Sequence, residues 1–387
     1  MTHIPYGRQD VTEGDIAAVN AVLRSDWLTQ GPAVEQFEQS VKSCCGAQHA
    51  VAVNSATSAL HIACLALDLG PGDQMWTSPN TFVASANAAL YCGADVDFVD
   101  IDERTYNMSV PALAQKLAAA REGGKLPKVV MPVHFAGQSC DMRAIGKLAA
   151  EYGFSIIEDA SHAIGGRYLS KPVGSCKYSS ITVFSFHPVK IVTTAEGGMA
   201  VTNYAAVAER MRLLRSHGVT RDAKHMRGSP HGPWYYEQVD LGFNYRMPDM
   251  QAALGSSQMT RIDAYVQRRH AIARRYGETL ADLPLILPWQ NPDSYSAYHL
   301  YPVQIDPRRS PRGRKEVFEE LRGQGIGVNV HYIPVHTQPY YQSLGFEGRS
   351  FPAAERYYAN AISLPLYPGL DKTLQDRVVA SLREAFA

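Results

Sequence analysis

No sign of charge dominates this sequence: lysines plus arginines and aspartates plus glutamates stand at 37 each. No global field therefore draws it to nucleic acid or to an anionic membrane. No apolar run approaches the roughly 18 residues that span a bilayer. The opening stretch, Met1-Thr-His-Ile-Pro-Tyr-Gly-Arg-Gln-Asp10, lacks a charged segment leading into an apolar one. The expectation is a cytoplasmic protein with no membrane partner. Cysteine is sparse and scattered, at Cys44, Cys45, Cys64, Cys92, Cys140 and Cys176, with no CxxC pair and no Cys/His metal spacing. That reads as reduced, mostly buried thiols and no bound metal. Internal repeats and low-complexity segments are absent, and no GxGxxG follows a strand pattern, which speaks against a nicotinamide dehydrogenase.

What is present is an ordinary globular composition, 45% hydrophobic and 19% charged over 387 residues, enough for about two domains. Residues 10–47 have helical periodicity, broken at Ser25-Asp-Trp-Leu-Thr29-Gln-Gly-Pro32. From Val51 to Asp159, strand patterns alternate with helical ones. Strands are expected at 51–53, 74–79, 95–102, 128–135 and 154–159, and helices after Ser55, Asn80, Ser109 and Asp141. This alternation argues for βαβ units and a mainly parallel sheet in an α/β fold. The aromatic stretch Trp234–Met247 is a long loop of the kind that is functional or forms an interface. A shift to Pro, Asn, Asp and Ser near 285–296 sets a domain boundary shortly before it: a large domain over 1–265 and a smaller α+β domain over 266–387. Within the latter, strands are expected at 298–305 and 326–332, and helices at 314–323, 352–362 and from Asp371.

Chemistry concentrates in Ser180-Ile-Thr-Val-Phe-Ser-Phe-His-Pro-Val-Lys190-Ile-Val-Thr-Thr-Ala-Glu-Gly-Gly198, where an apolar strand runs into a lysine and then a glycine pair. An amine at the end of a buried strand pairs with an anion or attacks a carbonyl as a Schiff-base nucleophile. The strand Phe154-Ser-Ile-Ile-Glu-Asp159 ends in acids, and sites in open α/β sheets gather at carboxyl ends of strands, so Asp159 and Lys190 are candidates for one pocket. Such a pair suits pyridoxal phosphate, the lysine holding the aldehyde and the aspartate the pyridine nitrogen. A purely structural ion pair is the competing reading. The turn Asn54-Ser-Ala-Thr-Ser58 opening a helix offers backbone N–H groups, the helix dipole and hydroxyls to a phosphate, although plain N-capping is the commoner use of such residues. Phe82, at the start of the next helix, is placed either to stack on a flat ring or to join the core.

Four motifs, Asn54-Ser-Ala-Thr-Ser-Ala-Leu60, Glu158-Asp-Ala-Ser-His-Ala-Ile-Gly165, Phe184-Ser-Phe-His-Pro-Val-Lys-Ile-Val-Thr-Thr-Ala-Glu-Gly-Gly198 and Leu241-Gly-Phe-Asn-Tyr-Arg-Met247, resemble the DegT/DnrJ/StrS sugar aminotransferases of the fold type I superfamily, in order and over nearly the full length. The resemblance implies pyridoxal 5'-phosphate, with the pyridoxamine form as intermediate. It implies that Lys190 carries the aldehyde, Asp159 pairs with the pyridine nitrogen, His162 lies beside the ring hydroxyl and Phe82 stacks on the ring. It also implies that Ala56, Thr57 and Ser185 contact the phosphate together with Asn244 of a neighbouring subunit, making a homodimer part of the site.

His162, with Phe186-His-Pro before the lysine, is similar to family members that aminate C4 of a nucleotide sugar. Ser25–Pro32, Gly232-Pro-Trp-Tyr-Tyr-Glu237 and Gly327-Val-Asn-Val-His-Tyr-Ile-Pro-Val-His336 resemble the C4 transaminases of pseudaminic-acid biosynthesis, which act on a UDP-linked 2-acetamido-2,6-dideoxy-4-keto-L-sugar. The donor expected is L-glutamate, leaving as 2-oxoglutarate. Arg246, His331, Tyr332 and Thr29 are candidates for substrate recognition, an arginine fork suiting a carboxylate or diphosphate. The rival substrates are a UDP-4-ketopentose or a GDP-4-keto-6-deoxy sugar. A pyridoxamine-dependent dehydratase on this fold carries histidine in place of Lys190, and a catalytically silent binding protein on the fold is the rival from another class.

Overall fold

The computed structural model describes residues 3–387. Its central sheet has seven strands: β1 (His49–Val53), β2 (Gln74–Thr77), β3 (Asp95–Phe98), β4 (Val129–Met131), β5 (Ser155–Asp159), β6 (Ile181–Ser185) and β7 (Gly198–Thr202). Their spatial order is β1-β7-β6-β5-β4-β2-β3. The run from β6 through β5, β4 and β2 to β3 is parallel, and β7 alone is antiparallel to both of its neighbours, β1 and β6. The mainly parallel α/β architecture expected from the alternation is therefore what forms.

Burial on both faces explains why these strands read as continuous apolar runs rather than as alternating ones. Period-2 geometry still sorts them. Val51, Val53, Ile181 and Val183 join the cluster that also holds helices α3 (Ala56–Ala66) and α4 (Val83–Tyr91). Ala50, Ala52, Phe184 and Met199 face the other way, into a cluster with α2 (Pro32–Cys45) and α8 (Asp249–Met259). Helix α3 is buried almost all round, from Ser58 to Cys64 and again at Ala66, so its amino end is held rigidly against the sheet. All six cysteines are free and all but Cys44 are buried. Among the described residues, no helix is long and apolar enough to cross a membrane.

The C-terminal part has its own three-stranded antiparallel sheet, Leu285–Ile286, Tyr301–Ile305 and Ala361–Leu364, packed by the helices Arg314–Gly323 and Lys372–Phe386. The strand expected over 326–332 does not form. That segment makes only two isolated bridges, Ile326 to Ile4 and Asn329 to Ser363. Its apolar alternation serves another end: Val328 points into the C-terminal core while Asn329 and His331 turn toward the cavity described below. Helix α9 (Ile262–Thr279) links the two parts, with Ile262, Tyr265 and Val266 in the α2/α8 cluster and Ile272, Ala273 and Tyr276 in the C-terminal one. The 265/266 division thus falls inside one continuous helix.

On that helix Arg269 is fully buried with no carboxylate beside it. Its Nη1 donates to the carbonyls of Tyr298 (3.1 Å), His299 (3.2 Å) and Leu366 (3.0 Å), and burial pushes its pKa down to about 10. Arg269→Met strands these acceptors in the interior, where each unsatisfied group costs about 1–3 kcal/mol. The variant is expected to unfold at a lower denaturant midpoint, with about 2–3 kcal/mol less stability, measured by circular dichroism in urea.

Candidate active site

Because β7 is reversed, its amino end lies at the carboxyl edge of the sheet, and the β6–β7 connection carrying Lys190 arrives at the same edge as the ends of β1, β2 and β5. A cavity of about 640 Å³ opens there. It collects Ala56, Thr57, Phe82, Asp159, Ser185 and Lys190, and also His162, His331 and Tyr332, from segments hundreds of residues apart.

The anion end is built by the turn from β1 into α3. Ser55 is the N-cap, its Oγ accepting the N–H of Ser58 at 3.1 Å, while Ser58 Oγ donates to Asn54 Oδ1 at 2.7 Å. The Ser55 and Ser58 side chains are thus engaged in capping, the commoner of the two uses open to such residues. The N–H groups of Ala56 and Thr57, the first two helical residues, have no acceptor within the helix. Ala56, Thr57 and Ser185 all line the cavity. The glycine pair explains itself here: a Cβ on Gly198 would stand 2.4 Å from Ser55 O and 2.6 Å from Ala56 N, and one on Gly197 2.1 Å from Thr194 Oγ1. Only glycine lets β7 start this close to the cradle.

Asp159, at the end of β5 and 4% exposed, is oriented by Ser85 Oγ (2.6 Å to Oδ2) and by Ser161 N–H and Oγ (3.1 and 2.6 Å to Oδ1). Its neighbour Glu158 points to the opposite side of the strand. Burial raises that carboxyl, but hydrogen bonds from His134, Ser179 and Thr182 outweigh it and hold the group below its ordinary value. Of the two acids that end the strand, one is therefore a brace and one faces the cavity. Lys190 makes no ion pair with Asp159 or with any other described carboxylate, so the structural ion-pair reading fails. Desolvation lowers its pKa to about 8, opposed only by the field of Asp159. Phe82 is 59% exposed, an aromatic face on the cavity rather than a core residue.

His162 accepts the Ala136 backbone N–H at Nδ1 (3.2 Å), which leaves Nε2–H to donate to the Tyr332 hydroxyl (3.1 Å). Burial, then the charge of Lys190, depress its pKa far below the ordinary range, so the ring is neutral. His331 bonds Ser363 Oγ through Nδ1 (2.8 Å) and is pushed down to about 3 by burial and Lys190. Sequence reasoning missed His299, which is 4% exposed, lies 4.4 Å from the His162 ring centroid and has a buried Nδ1 without a partner. It also missed Tyr6 and Asn329, both on the cavity wall, and Ser85. Only Ser85 carried a signal, sharing a helical face with Phe82 three residues before it.

Thr29, Asn244 and Arg246 do not enter this cavity. Thr29 bridges Pro248, and the exposed Asn244 bridges Ser216 and accepts the Asn54 amide at its backbone oxygen (3.4 Å). Among the described residues, no group of three or more His, Cys, Asp or Glu is arranged to hold a metal.

Three comparisons bear on this arrangement. The model of the DegT/DnrJ/EryC1/StrS aminotransferase family matches residues 9–383. The spore coat polysaccharide biosynthesis protein SpsC of Bacillus subtilis is 41% identical over 384 residues, 98% of this chain and 96% of its own. Among solved structures, Helicobacter pylori PseC, an aminotransferase involved in the biosynthesis of pseudoaminic acid, superposes with a TM-score of 0.90 at 32% identity over 100% and 99% of the two chains. The sugar aminotransferase Spr1654 of Streptococcus pneumoniae, solved in PLP and PMP forms, gives 0.88 at 29% over 99% and 98%.

Two outcomes follow for the cofactor. Gly198→Ala forces the Ser55–Ala56 turn outward at a cost of about 1–3 kcal/mol and should weaken pyridoxal phosphate binding about tenfold, read by titrating apoprotein in the visible range. Capture of the aldehyde by apoprotein requires the neutral amine, so its rate should rise with pH through about 8 and level off above it, whereas an ordinary lysine would still be rising near its pKa of about 10.4.

Proposed function

The chain belongs to the DegT/DnrJ/EryC1/StrS aminotransferase family and is a pyridoxal phosphate-dependent sugar aminotransferase; from that premise we propose that it transfers the amino group of L-glutamate to the C4 ketone of a UDP-linked 2-acetamido-2,6-dideoxy-4-keto-L-sugar. The carrying observation is the full-length likeness to PseC, together with the lysine loop and His162 of the C4-aminating pattern. Bound pyridoxal phosphate supplies an electron sink that acidifies the donor's Cα–H.

The chain's own residues do the rest. Ala56 and Thr57 N–H groups and the Ser185 hydroxyl would hold the phosphate, with Asn244 supplied by a second copy. Asp159, locked by Ser85 and Ser161, keeps the pyridine nitrogen protonated. Phe82 covers one ring face, and neutral His162 meets the ring hydroxyl. Lys190 would hold the aldehyde and, with its amine able to lose a proton near pH 8, would serve as the base that moves the proton from the donor's Cα. 2-Oxoglutarate leaves, and the same groups run the sequence backward on the sugar ketone. Arg246, uncommitted to any described partner, suits the donor carboxylate or the diphosphate across the dimer face.

A second reading, amination of a different nucleotide 4-keto sugar, is favoured by the higher identity to the spore coat polysaccharide protein. The test is spectroscopic. L-Glutamate should bleach the visible band of the holoenzyme, and the UDP-linked keto sugar should restore it faster than a UDP-4-ketopentose or a GDP-4-keto-6-deoxy sugar. Restoration by a rival alone replaces the substrate. Lys190→Ala should abolish multiple turnover, and retained turnover would overturn its role.

A further inference from the structure

One residue outside the cavity holds two that line it. His134 stands just beyond β4 and is fully buried. Its Nδ1 accepts the Cys140 backbone N–H (3.1 Å), which leaves the Nε2 proton to donate to Glu158 Oε2 (2.6 Å). The other oxygen of that carboxylate accepts from the Ser179 and Thr182 hydroxyls, and Thr182 is the residue paired with Glu158 on β6. His134, Glu158, Ser179 and Thr182 are each less than a tenth exposed. The Glu158 carboxylate thus clips the end of β5 to β6 on one side and to the segment after β4 on the other.

Main-chain bonds carry this clip to the cavity. His134 N–H donates to Asp159 O (3.0 Å) and Asp159 N–H to Pro132 O (3.0 Å), so His134 grips Glu158 with its ring and Asp159 with its backbone. Two residues on, Ala136 N–H donates to His162 Nδ1 (3.2 Å). The side chains assigned to the pyridine nitrogen and to the ring hydroxyl therefore both depend on where the segment 134–136 lies, although neither His134 nor Glu158 lines the cavity. Resting on the aminotransferase reading above, we propose that His134 is a positioning residue that acts through Asp159 and His162, setting the first against the pyridine nitrogen and the second against the ring hydroxyl. Without the His134 donor, Glu158 keeps its bonds to Ser179 and Thr182 but loses its link to that segment, and the alignment of the groups it carries relaxes.

The experiment compares His134→Phe, which keeps a ring and removes the donor, with His134→Gln, whose amide nitrogen can reach Glu158. Both lose the Cys140 contact, so their difference isolates the bond to the carboxylate. If His134→Phe does not fold, His134→Asn, too short to reach Glu158, takes its place. With pyridoxal phosphate carrying nitrogen-15 in its ring, the unaltered holoenzyme should give a pyridinium resonance, and the variant without the donor should move it toward neutral pyridine. Bleaching by L-glutamate and its reversal by the UDP-linked keto sugar should slow together by about tenfold, the loss expected for one hydrogen bond to a charged group. His134→Gln should recover most of both readouts. A lowered urea midpoint with the resonance and both rates unmoved, or no recovery in His134→Gln, overturns the assignment. Failure of glutamate to bleach the unaltered holoenzyme would instead bring down the aminotransferase reading itself, so the two failures are distinct.

Discussion

Partly desolvating a lysine amine without giving it an ion pair is unfavourable, and the geometry around Lys190 follows from accepting that penalty. The loop needs rigid support, because a mobile one would return the amine to solvent. β6 and β7 supply it as a fully buried antiparallel pair, with β1 on the far side of β7. Asp159 acts on the amine only through its field, since both carboxylate oxygens already accept from Ser85 and Ser161. The amine is left able to lose its proton near neutrality, which an ordinary lysine is not.

The same economy governs the histidines. His162, His299 and His331 crowd a site that already holds a lysine, and desolvation followed by the charge of Lys190 lowers the pKa of all three. A neutral imidazole can both donate and accept, so these residues bring hydrogen-bonding capacity to the cavity without adding charge. Arg269 supports this wall from behind, gripping the carbonyls of Tyr298 and His299 and so fixing where the C-terminal part meets α9.

Much of the arrangement was legible in the residues. Strand patterns ending in Asp159 and leading into Lys190 read correctly because a doubly covered sheet leaves long apolar runs and its carboxyl edge is a single line in space. The cradle was legible in its helix start, whereas sequence left open which hydroxyl residue caps the helix, as Ser55 does, and which is free of that duty, as Thr57 is. The strand expected over 326–332 failed because alternation records which residues are buried, not whether a neighbouring strand is there to pair with them.

Composition, periodicity and motif spacing by themselves determined the α/β class, the meeting of a lysine and an aspartate at one sheet edge and the helix start beside them, because each depends on contacts local in sequence or on strand direction. Tertiary structure alone decided that the lysine is unpaired, that Glu158 is a brace while Asp159 faces the cavity, and that Tyr6, His299 and Asn329 reach the same cavity. Those facts depend on which distant segments meet and how far water is excluded between them, and neither is encoded at any one position of the chain.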